Sequence, residues 1–150
     1  MPLFDYFRAP DADAVQRVMS ASDGCSPMGE VFDGVDAKGI DPTVVLGTMV
    51  AAIRKVPWSP DLVEQKLVWP PGGEQDLDHE GPWVAELNTS ARDVLAEAGD
   101  LPRVAQEWAR IEELGGHLDV GDAQAFIETM VGLARRAREA DELLYCWMSL

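Results

Sequence analysis

The residues best suited to chemistry lie between Trp69 and Trp83: Glu74, Asp76, Asp78, His79 and Glu80, in a stretch without Lys or Arg that is bounded by Pro70-Pro71-Gly72-Gly73 and Gly81-Pro82. Carboxylate oxygens beside one imidazole can hold a divalent cation, and a carboxylate next to a histidine can tune proton transfer. The spacing falls short of both. An EF-hand loop needs a fixed run of oxygen ligands closed by a distal Glu, and a zinc site needs His and Cys ligands at characteristic intervals. His117-Leu118-Asp119 would supply a second half-site only if the fold brought it near. The segment is therefore read first as a binding loop, with Trp69, Glu74, Asp76, Asp78, His79, Glu80 and Trp83 as its contact residues. A cation-dependent enzyme or ligand-binding domain using Asp76, Asp78 and His79 is the alternative. Loops longer than about 12 residues are uncommon in compact domains unless they are functional or disordered.

Other chemistries find no support. GxSxG is absent, and a serine or cysteine triad would have to use His79 or His117, the two histidines of the chain. There is no GxxxxGK[ST], and no GxGxxG after a strand, so no cofactor is predicted. Cys25 and Cys146 lack a CxxC partner and are expected to be buried thiols rather than a disulfide. Asp33, Asp36 and Asp41 suggest a second cation site, but their spacing across Gly34 and Gly39 fits turns better. Pro57-Trp58-Ser59-Pro60 has the form PxxP, yet one proline is assigned to ending a helix and the other to starting the next. Trp108 and Trp147 are expected in the core. Trp58, Trp69 and Trp83 stand at the edge of irregular structure, where a tryptophan covers the core, holds a cation or anchors a protein contact.

The charge balance narrows the partners. Twenty-seven acids against twelve Lys plus Arg give −15, which opposes the counterion replacement that nucleic acid requires and disfavours anionic membranes. A basic protein or a cation fits better. The opening Met1-Pro2-Leu3-Phe4-Asp5 has neither the basic nor the apolar stretch of a signal peptide, which predicts a cytoplasmic protein. The apolar run from Val44 to Ile53 is half of what a membrane span needs. A homo-oligomer, with apolar surface serving as an interface, is a further expectation.

The elements that must position this loop follow from periodicity. Leu3–Phe7 reads as a strand with one buried face. Pro10 is placed at the first position of a helix containing Val15, Val18 and Met19. Residues 20–40 are rich in turn formers and read as irregular. Asp41-Pro42 begins a helix through Ile53 that ends before Pro57, and Ser59-Pro60-Asp61 caps a short helix to about Lys66. Leu67–Trp69 and Trp83–Leu87 read as strands flanking the loop. Ala91–Ala98 is helical with Gly99 as a left-handed stop, and a helix from Leu101 to Leu114 ends at Gly115-Gly116. Asp122 caps the longest helix, whose last turns carry Arg135, Arg136 and Arg138. Leu143–Leu150 is too apolar for an exposed tail and reads as a buried strand. The fold class is α+β, a single domain of 150 residues: a small mixed sheet in which the N- and C-terminal strands share a sheet, with several helices packed on it.

Leu3-Phe4-Asp5-Tyr6-Phe7-Arg8-Ala9, Val84-Ala85-Glu86-Leu87 leading into a helix, and Glu142-Leu143-Leu144-Tyr145-Cys146-Trp147-Met148 resemble the YfbM-like family of small bacterial proteins. The resemblance covers the two ends better than the middle. It implies one α+β domain in the bacterial cytoplasm and carries over no activity and no catalytic residue.

Overall fold

The computed structural model describes residues 2–75, 77–111, 114 and 118–150, with the backbone alone at Glu74. Five strands form one sheet in the order β2-β1-β5-β4-β3: β1 (Leu3–Ala9), β2 (Gly34–Asp36), β3 (Gln65–Trp69), β4 (Trp83–Leu87) and β5 (Leu143–Ser149). The architecture is α+β. Every pairing is antiparallel, so the expected mixed sheet is an antiparallel one. The two ends of the chain meet as expected, with Leu3 opposite Ser149 and Ala9 opposite Leu143.

β5 is central because both of its faces are covered. Leu144, Cys146 and Met148 meet one core, together with Phe4 and Tyr6 of β1; Tyr145 and Trp147 meet the other, with Phe7 and Ala9. That explains the unbroken apolar run at the end of the chain, and it corrects the expectation that β1 has one buried face. The first core is closed by α2 (Gly47–Arg54), α3 (Thr89–Ala96), α4 (Leu101–Trp108) and α5 (Val120–Glu139). The second is closed by α1 (Ala12–Ala21) through Val15 and Met19, and by Phe32, whose ring stacks on Phe7 at 5.3 Å.

Local chemistry moved several boundaries. Asp11, not Pro10, starts α1: its carboxylate accepts from the Ala14 N–H at 2.8 Å. Asp41 caps as expected, accepting from Val44 and Val45, but the first turn, Pro42–Leu46, is a π-turn. The following helix stops at Lys55, in the left-handed conformation, two residues before Pro57. No helix follows Ser59, because Gln65 already pairs with Leu87 in β3. The stretch read as irregular contains β2, which borders β1. Asp100 rather than Gly99 takes the left-handed turn between α3 and α4. α4 ends at Trp108, and Gly115-Gly116 lie outside the described residues. Asp119 caps α5, accepting from the Asp122 N–H at 3.1 Å. Arg135, Arg136 and Arg138 do more than complement the helix dipole, since they bind the carbonyls of Ala96 and Ala98, Asp33, and Glu97 respectively. Among the described residues no helix is long and apolar enough to cross a membrane.

Candidate functional site

The loop joining β3 to β4 is pinned at its base. A short 3-10 turn, Gly73–Gln75, follows Pro70, whose carbonyl accepts the Gly73 N–H at 2.8 Å. At the far end His79 turns inward: its Nε2 lies 2.7 Å from the Pro82 carbonyl, and its ring meets the edge of Trp83 at 5.7 Å. Gly81, at φ +99°, passes under the Trp83 ring, where a Cβ would stand 2.8 Å from the ring carbons. Glycine is needed there twice over, for its dihedral and for the close approach.

Pro82 then packs on the turn that follows α1. Gly24, at φ +86°, faces the Pro82 ring, and the Gly24 carbonyl accepts the Trp147 indole N–H at 3.0 Å. Gln16 of α1 donates to the Val68 carbonyl of β3 at 3.0 Å. Between the end of α1 and the base of the loop lies a cavity of about 190 Å³, lined by Ser20, Asp23, Gly24, Trp69, His79 and Pro82 among others. Above it the loop carries its charge outward: Asp78 and Glu80 are exposed, and Leu77 is 90% exposed. Neither acid pairs with a cation among the described residues.

The residues singled out from sequence therefore separate. Trp69, His79 and Trp83 form the base of the loop, and Asp78 and Glu80 its outer surface. The Glu74 side chain, Asp76 and His117 lie outside the described residues. Asp119 is occupied as a helix cap. Among the described residues no group of three His, Cys, Asp or Glu side chains is placed to hold a metal ion. The trio Asp33, Asp36 and Asp41 is dispersed: Asp33 pairs with Arg8 and Arg136, Asp36 sits opposite Asp5, and Asp41 caps a helix. Trp58 is elsewhere, 42% exposed, with its indole N–H on the Thr43 carbonyl at 3.0 Å. Trp108 is in the core as expected, whereas Trp147 is only part-buried. Both cysteines are free, and Cys25 is exposed rather than buried.

Sequence reasoning missed Ser20, Asp23 and Gly24. Asp23-Gly24 was visible as a turn; that the turn packs against Pro82 is a tertiary fact with no local signal.

Around the loop, exposed acids stand beside Arg17, which shares a groove with Pro71. Much of the chain's positive charge is already paired at partly or fully exposed positions, where Arg8, Arg92, Arg103, Arg136 and Arg138 meet carboxylates. The surplus of acids faces solvent, including Asp23 at the cavity and Asp13 in the first turn of α1. Such a surface attracts cationic partners within about a Debye length, beyond which salt screens it. Comparison with family models, with curated proteins and with solved structures finds no match.

Proposed function

We propose that the chain is a non-enzymatic binding domain of the bacterial cytoplasm whose acidic surface, centred on the Trp69–Trp83 loop, engages a basic protein partner; small acidic inhibitors and immunity proteins are the analogy. The supporting observation is the contrast between the loop's base and its crown. His79, Pro82 and Trp83 tie the base to α1 and the sheet, while Leu77, Asp78 and Glu80 stand exposed and unpaired among the described residues. A fixed base lowers the ordering cost of binding, and an apolar tip among acids offers both contact area and charge. The resemblance to the YfbM-like family belongs with this proposal but contributes no chemistry to it.

The experiment is a titration with a hexalysine peptide, followed by tryptophan fluorescence. Binding that weakens steeply with added salt, and that Asp78→Asn with Glu80→Gln reduces, supports the proposal. Absence of binding at low ionic strength contradicts it.

A further inference from the structure

We propose that the cavity between the last turn of α1 and the base of the β3–β4 loop receives the cationic head of one lysine or arginine side chain of the basic partner. This rests on the binding-domain reading above and names the anchor it lacks. The cavity, about 190 Å³, falls below the roughly 300–1,000 Å³ of small-molecule and cofactor sites. It suits the end of a single side chain. Trp69 and His79 supply aromatic walls, and Asp23 supplies a carboxylate. The face of a tryptophan attracts ammonium and guanidinium groups, and Trp69 is the residue that offers one here.

The helix adds to this. α1 ends at Ala21 with no basic residue in its last turn, so the negative end of its dipole is uncompensated where Ser20 lines the cavity. A larger open groove of about 460 Å³, lined by Asp13, Gln16, Arg17 and Pro71, also reaches Ser20 and continues along α1. Arg17 in that groove repels a second cation, which directs the positive head to the Asp23 end. The groove gives the rest of the partner's chain a way out.

The test uses the full chain, 15N-labelled, with n-butylammonium as the cavity probe, n-butanol as its neutral counterpart, and hexalysine as the probe of the whole surface. Butylammonium is expected to shift the Gly24 amide and the Trp69 indole N–H saturably, with butanol leaving them in place. Asp23→Asn should weaken the effect without disturbing the backbone, because Asn also tolerates the left-handed conformation that Asp23 adopts at φ 57°. Ser20→Lys places a cation of the protein's own in the cavity. It should abolish the butylammonium response and reduce hexalysine affinity on the order of tenfold, while raising the melting midpoint by complementing the helix dipole. Ala125→Lys, an exposed position on α5, adds the same charge on the other face of the sheet and should leave the butylammonium response intact. Lack of any butylammonium shift at Gly24 and Trp69, or an equal response in Ser20→Lys, overturns the cavity assignment even if hexalysine still binds in a salt-sensitive way. A butylammonium response with no hexalysine binding overturns the basic-partner reading, and with it the assignment to a partner side chain.

Discussion

Trp147 of the central strand donates its indole N–H to the carbonyl of Gly24, 3.0 Å away. This bond joins the middle of the sheet to the turn after α1, and the Pro82 ring packs against the same turn at Gly24. The base of the acidic loop is thus positioned by residues far from it in sequence. A side-chain hydrogen bond of this kind contributes about 1 kcal/mol net.

Gly24→Ala should be destabilising by about 1–2 kcal/mol, since alanine is strained at a positive φ and its Cβ would meet the Pro82 ring at 3.1 Å. Urea unfolding measures the loss. An unchanged midpoint would mean that the turn and the loop are not packed as described.

Asp33 links three segments, taking Arg136 bidentately at 2.6 and 3.2 Å and Arg8 at 2.9 Å. The Arg136 hydrogen bonds, joined by the one from Arg8, outweigh partial burial and hold its carboxyl below the ordinary value of 3.8. A lowered folded-state value gives stability that is complete above the unfolded value and is lost as pH falls through the folded one. Asp33→Asn should therefore lower the midpoint at pH 7, with the two proteins converging as pH falls below 3.8. The pair is partly exposed, so the effect should be modest. Equal stability of the two proteins at pH 7 would contradict this.

Asp5 behaves in the opposite sense. Burial raises its carboxyl above 3.8, the facing Asp36 adds to the rise, and the Ser26 hydroxyl at 2.7 Å offsets part of it. The folded state then binds the proton more readily, so the ionised form carries a penalty at neutral pH that disappears as pH falls through the raised value. Asp5→Asn should raise the melting midpoint at pH 7, modestly because the site is partly exposed to solvent. The gain should shrink toward pH 3.8. A lower midpoint at pH 7 would show that the Ser26 bond outweighs burial.

Divalent cations test the alternative role of the loop. Mn²⁺, Zn²⁺ and Ca²⁺ are expected to leave the thermal midpoint unmoved, because selective binding to the folded state would have to raise it. A rise with one of them that disappears in the combined His79→Ala and Asp78→Asn variant would restore a metal-dependent reading.

The sheet was legible where burial writes itself into local pattern. Leu143–Leu150 was legible as a strand because few of its residues are polar, although the strand ends at Ser149, its buried residues are Leu144, Tyr145 and Cys146, and Leu150 is 79% exposed; Asp41-Pro42 had to start a helix because both residues satisfy its first turn. The loop was legible by length, charge and its tryptophans. Its setting was not. β2 has three residues and contains Gly34, too short for alternation to register. The turn at Asp23-Gly24 looks the same in sequence whether it faces solvent or Pro82. The arginines of α5 followed the dipole rule locally, but their partners Asp33 and Glu97 are 103 and 41 residues away, beyond any local reading.

The most direct test of a basic-partner surface is the salt dependence of hexalysine affinity in the wild type and in the variant combining Leu77→Ser, Asp78→Asn and Glu80→Gln. All three positions are exposed, so the variant should melt within about 0.5 kcal/mol of the wild type. The wild type should bind with affinity that falls steeply as ionic strength rises, and the variant should bind more weakly with a shallower slope. Equal affinity and equal slope in the two proteins would contradict the assignment of the Trp69–Trp83 loop as the binding surface.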